Sequence, residues 1–198
     1  CELAEKRGVR VTGSELVGLV PEDALLMAGN HYLIKQHRSL GIPKEDIIET
    51  AVQSLGLNDV VPFNPSKKII EYSISDDEKK LSSLRITKFI DELSRNSVAP
   101  GGGSASALFG SLGASLLSMV ASLNHEKKDY INIKSEMGDI GLEAQSLKDR
   151  LTSLIDEDTK AFNQLIKMNR LPDLTPSESR YKKESIKKAN EYAIEVPY

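Results

Sequence analysis

Pro100-Gly101-Gly102-Gly103-Ser104-Ala105-Ser106-Ala107 opens a run without charge that continues to Leu123. A proline followed by three glycines makes a turn, and nothing in the run breaks a helix outright. A helix that starts at such a turn presents bare backbone N–H groups and the positive end of its dipole, which together suit an anion. Within the run Ser106, Gly110, Gly113, Ala114, Ser118 and Ala121 recur at about one helical turn. Small side chains at that spacing let a second helix approach closely. The run is apolar on nearly all sides, so burial on more than one face is expected, and with it a dimer. It is also long enough to span a bilayer, but serines spread through it argue against membrane insertion.

The pattern after the run is helical throughout. Steps of four and three from Ile140 pick out Ala144, Leu147, Leu151, Leu154, Asp158, Ala161, Leu165 and Met168. Asp158 is the one charged member, so a carboxylate is expected on the face that packs against other helices. Asp156, two positions away, is expected on the opposite side, in solvent. Burial of a carboxylate is costly without partners, and desolvation raises its pKa, which suits proton exchange near neutrality. A structural ion pair or cap in a helical bundle fits the same position. Leu84 to Ser94 is a further expected helix. Thr175-Pro176-Ser177-Glu178 is a capping box that opens another.

The first part of the chain reads differently. Val9 to Val20 is rich in Val and Leu and predicts a strand, broken at Gly13 and Gly18. Ile69-Ile70-Glu71-Tyr72 predicts a second. Pro21 and Pro43 open helices, and Gly56 ends the latter. The expected fold is an α+β fragment followed by an all-α helical domain, mostly helical overall. Ser75 to Lys80 is a charged break. The boundaries are thus 1–74, a linker at 75–80, and a helical domain over 81–198.

Composition narrows the function. A net charge of -3 over 198 residues, with no basic stripe or aromatic RNA-binding motif, gives no hint of nucleic acid. The one cysteine, Cys1, excludes an internal disulfide and a cysteine metal cluster, and a reducing cytoplasm is the expected compartment. His31 and His37 have no metal-ligand spacing and read as surface or packing residues. His125, Lys127 and Lys128 follow the apolar run, where the lysines either complement the negative end of a helix dipole or bind an acidic ligand.

Two sets of motifs, in order across the break, resemble the formiminotransferase-cyclodeaminase family. Val11-Thr12-Gly13-Ser14-Glu15-Leu16-Val17-Gly18-Leu19-Val20-Pro21, Leu55-Gly56-Leu57, Pro62-Phe63 and Ile69 to Tyr72 are similar to the end of its transferase region. Ala99 to Ser104, Met119-Val120, Leu154 to Asp158, Ala161-Phe162, Leu171-Pro172 and Thr175-Pro176 are similar to its cyclodeaminase domain. The resemblance implies a folate enzyme of histidine degradation, with tetrahydrofolate as carrier and no metal. Its transferase moves a formimino group from formiminoglutamate to tetrahydrofolate. Its cyclodeaminase closes the ring to 5,10-methenyltetrahydrofolate and releases ammonia, and its acid residue falls on Asp158. An anionic part of the folate is expected at Gly101, Gly102, Gly103 and Ser104, with Lys127 and Lys128 as further contacts. A cyclohydrolase on the same fold and a non-catalytic helical dimerisation module are the other readings. The chain departs from the family in three ways. These residues are expected to lack the subdomain with the family's catalytic histidine and the last cyclodeaminase helices, and Arg95-Asn96 stands where an arginine is expected nearer the serine. It is expected to be a fragment cut at both ends.

Overall fold

The computed structural model describes residues 2–11, 13–74 and 80–196, without side-chain detail at Glu2, Lys128, Asp129 and Tyr130. All but Lys80 of the expected linker lies outside the described residues. The elements in order are α1 (Glu2–Glu5), α2 (Glu22–Lys35), α3 (Lys44–Leu55), α4 (Pro65–Lys68), α5 (Ile70–Ile74), α6 (Ile86–Leu93), α7 (Gly102–Glu126), α8 (Lys134–Asn169) and α9 (Pro176–Glu195). Short 3-10 turns at Leu81–Ser83 and Lys128–Ile133 precede α6 and α8.

The chain divides into two compact units, Cys1–Ser75 with Leu117–Gln145, and Asp76–Leu116 with Ser146–Tyr198. Helices α7 and α8 each contribute one stretch to each unit. The first unit has a core of Leu25, Ile48, Ala51, Val52, Leu57 and Ile69. Its helices begin and end as their sequences dictate. Pro43 stands at the N-cap of α3, Glu45 and Asp46 occupy the first turn, and Gly56 closes it in the left-handed conformation at φ 65°. The backbones of Gly41 and Gly141 meet in this unit: a Cβ on Gly41 would fall 2.5 Å from the Gly141 carbonyl carbon. Beside that contact, Ser118 and Ser122 of α7 both donate to the Gly41 carbonyl, at 2.9 and 2.8 Å.

Helix dominates as expected, but the α+β fragment is not present among the described residues. Ile70 to Tyr72 belong to α5, and among the described residues the only strand-like pairing is an isolated parallel bridge between Val20 and Ile69. Val20 N–H donates to Lys68 O, and Ile70 N–H donates to Val20 O. A strand is stable only when neighbours take up its backbone groups. Among the described residues of 9–19 no strand ladder forms: Ser14 N–H donates to the Gly56 carbonyl, Lys68 Nζ donates to the Leu16 carbonyl, and Val9, Val11, Val17 and Leu19 are exposed.

In the second unit Phe89, Ala107 and Ile155 form the core, with Leu81, Leu84, Leu93, Leu108 and Leu154 against it. The capping box at α9 is complete: Glu178 N–H donates to Thr175 Oγ1, and Thr175 N–H donates to the Glu178 carboxylate. Among the described residues α7 is the one helix long and apolar enough to cross a membrane, by length and composition alone. Its serines are engaged within the chain: besides Ser118 and Ser122, Ser111 lies 2.8 Å from the Thr152 hydroxyl.

Candidate functional site

The start of α7 packs on α8, and the two helices place Asp158 at the glycine turn. Ser104 N–H donates to Asp158 Oδ2 at 2.9 Å, and the Ser104 hydroxyl lies 3.0 Å from the same oxygen. The Ser104 side chain is fully buried. Its hydroxyl is also 2.9 Å from the Ile155 carbonyl and 3.2 Å from the Thr159 hydroxyl. The first anion at this helix start is therefore a side chain of the chain itself, and the partial positive charge of the terminus acts on it.

The three glycines are not equivalent. A Cβ on Gly103 would run into the Asp158 carboxylate, so that group would have to shift away from its present place. Gly102 has nothing within 4 Å of that position, and Gly101 has only the Val98 carbonyl at 3.9 Å. Gly103 is needed so that a carboxylate fits against the backbone. Asp158 and Gly103 open on a cavity of about 370 Å³, lined also by Ser106, Ala107, Leu151, Leu154 and Val196. The lining is largely apolar with one carboxylate at its edge, which suits a flat ring system carrying a proton to be exchanged.

Asp156 corrects one expectation. It does lie on the side of α8 opposite Asp158, as two residues at 100° each require, but that side is not in solvent. Asp156 is 9% exposed. Its carboxylate accepts from Leu81 N–H at 2.6 Å and from the Ser82 hydroxyl at 2.5 Å. The turn before α6 folds over this face of α8, so both faces of the helix are covered at this level. Asp156 ties down that turn and does not line the cavity.

Of the other expected contact residues, Lys127 is exposed, follows α7 and belongs to the first unit. The side chain of Lys128 lies outside the described residues. That unit has its own cavity of about 330 Å³, to which no pattern of spacing points. His37, Arg38, His125, Lys134 and Asp139 line it along with Leu40 and Leu142. Burial, and then the nearby Lys134 ammonium, hold the His125 imidazole below its usual pKa. The cavity joins residues 34–40 to residues 125–142, and no local spacing links stretches so far apart.

Two family models match the chain in succession: the formiminotransferase domain over residues 1–75 and formiminotransferase-cyclodeaminase over residues 85–198. The chain belongs to the formiminotransferase-cyclodeaminase family. It is 34% identical over 199 residues to formimidoyltransferase-cyclodeaminase from Gallus gallus, covering 100% of this chain and 37% of that protein. The Mus musculus protein of the same name is 34% identical over 196 residues, 98% of this chain and 36% of its own length. A methenyltetrahydrofolate cyclohydrolase from Methylorubrum extorquens is 33% identical over 112 residues, 57% of this chain and 54% of that protein. The chain thus spans little more than a third of the bifunctional relatives. Asp158, Gly103 and Ser104 all fall within the stretch that the cyclodeaminase model covers.

Proposed function

We propose that the full-length protein carrying this chain is a bifunctional folate enzyme of histidine degradation, and that residues from about 85 onward belong to its cyclodeaminase. The observation that carries this reading is the Asp158 carboxylate, held at the start of α7 beside an apolar cavity. The substrate is 5-formiminotetrahydrofolate, in which N5 bears a –CH=NH₂⁺ group. N10 attacks the formimino carbon, and the C–N bond forms as Asp158 takes the proton from N10. The adduct carries an amino group. Asp158 returns the proton to that nitrogen, the C–N bond breaks, and ammonia leaves. The ring closes as the 5,10-methenyl cation. One carboxyl group serves first as base and then as acid, and the charge balances.

Feeding 5-formiminotetrahydrofolate to the full-length protein and following methenyltetrahydrofolate absorbance together with ammonia tests the reading. Stoichiometric appearance of both is expected, and formation of neither overturns it. The bacterial cyclohydrolase relative favours a second reading, attack of water on the methenyl bridge with the same carboxyl group taking the water's proton. The formiminotransferase match over residues 1–75 weighs for deamination, because formimino transfer supplies the cyclodeaminase with its substrate. Comparing rates on the two substrates separates them.

The oligomer belongs to the same proposal. Phe109, Leu112 and Leu116 follow each other at helical spacing along the first part of α7, and each is at least half exposed. Such a face is covered by a second copy in the full-length protein.

A further inference from the structure

We propose that Ser104 is a positioning residue for Asp158, directing the exchanged proton to Oδ1 by occupying Oδ2. The proposal rests on the cyclodeaminase reading above. Each oxygen of an ionised carboxylate offers two lone pairs. Ser104 brings two donors to one of those oxygens, its N–H at 2.9 Å and its hydroxyl at 3.0 Å. With both engaged, Oδ2 has no lone pair left for a proton. Oδ1 accepts no hydrogen bond among the described residues. It lies in the space that the absent side chain of Gly103 leaves, and both residues line the cavity. The incoming proton therefore binds at Oδ1.

The Ser104 hydroxyl has a single hydrogen and more than one acceptor within reach. The Ile155 carbonyl is 2.9 Å away, slightly nearer than Oδ2. Ionised Asp158 wins the hydrogen, because a bond to a charged acceptor is about twice as strong as one to a neutral acceptor. Once Oδ1 is protonated the carboxyl is neutral and the Ile155 carbonyl competes on equal terms. The hydroxyl is satisfied in both states, so the carboxyl can alternate between base and acid without leaving a buried donor unpaired.

The test compares Ser104→Ala, Asp158→Asn and the double variant in the full-length protein, by initial rates of methenyltetrahydrofolate formation. Ser104→Ala frees a lone pair on Oδ2 for an unproductive proton. Its kcat is expected to fall about ten- to a hundredfold, with KM within about twofold. In the Asp158→Asn background the same change is expected to cost nothing further, since Ser104 acts through that carboxyl. Wild-type kcat in Ser104→Ala, or an equal loss in both backgrounds, overturns the proposal and leaves the cyclodeaminase reading standing. Wild-type turnover in Asp158→Asn overturns both. Should Ser104→Ala not fold, Ser104→Cys reads the same split, because a thiol keeps the side chain in place and donates only weakly.

Discussion

Asp156 and Asp158 are the same residue type on the same helix, and the groups that meet them give them different roles. Asp156 accepts two hydrogen bonds from the turn at Leu81–Ser83 and is buried. Asp156→Asn keeps the shape, loses the charge and turns one acceptor into a donor facing a donor. Thermal melts should show a loss of about 1–3 kcal/mol, with turnover per folded molecule within a few-fold of wild type. Asp158→Asn should retain the fold and lower turnover by about 10²–10⁴-fold. Gly103→Ala should also remove turnover, because its Cβ would meet Oδ1, whereas Gly102→Ala, with open space around it, should leave turnover near wild type. Equal effects of the two glycine variants would count against this geometry. The placement of Asp158 on a packed face was legible in the sequence, since helical periodicity fixes phase. The cover over Asp156 was not, because it comes from a segment 75 positions earlier in the chain. The glycine triplet was legible as a helix start, but which glycine carries the constraint depends on a side chain 55 residues later, a contact no local pattern encodes.

Helix α7 has two unlike faces. On one face Ala107 and Ala114 are buried, and a Cβ on Gly110 would fall 3.1 Å from a Leu151 methyl. Gly110 therefore reports packing of α7 on α8 within one chain rather than an interface between copies. Gly110→Leu should destabilise the chain by about 1–3 kcal/mol in urea titration through overpacking. A Cβ on Gly113 would meet nothing within 4 Å among the described residues. Gly113→Ala should stabilise by about 0.5–1 kcal/mol, because glycine in a helix interior is less favourable than alanine. Toward the other end of α7, His125 has a folded-state pKa below its usual 6.5. Between the two values the unfolded chain binds the proton more readily, so stability falls as pH drops through that window and recovers as pH rises. His125→Gln should flatten that part of the melting-temperature profile, and an unchanged slope would remove the residue from consideration. Legibility at this scale follows locality. Pro43 with Gly56, and Thr175 with Glu178, announce helix boundaries through groups a few residues apart. The strand expected at Ile69 to Tyr72 failed because a strand is defined by its partner. Only Val20 serves Ile69, and the chain then turns into α5.

At the scale of the whole molecule, the two family matches follow one another along the sequence, whereas the compact units interleave. Residues Leu117–Gln145 group with the first 75 residues, although they lie inside the cyclodeaminase match. Within that unit the Gly41–Gly141 backbone contact, the two serines on the Gly41 carbonyl and the Lys134 ammonium on the His37 carbonyl hold the two stretches together. The exposed row on α7 leads to one expectation for the full-length protein: Leu116→Glu should lower the mass measured by light scattering, and an unchanged mass would count against self-association through that face. The fit of Asp158 against Gly103 has a consequence for reading other chains. In this geometry a side chain at position 103 and a carboxylate at position 158 exclude one another, whereas a glycine at 103 tolerates other residues at 158. A related sequence with any larger residue at the counterpart of Gly103 should have given up the acid at the counterpart of Asp158, and with it the reaction. Comparing this single pair of letters, 55 positions apart, should sort working members from helical look-alikes before any protein is made.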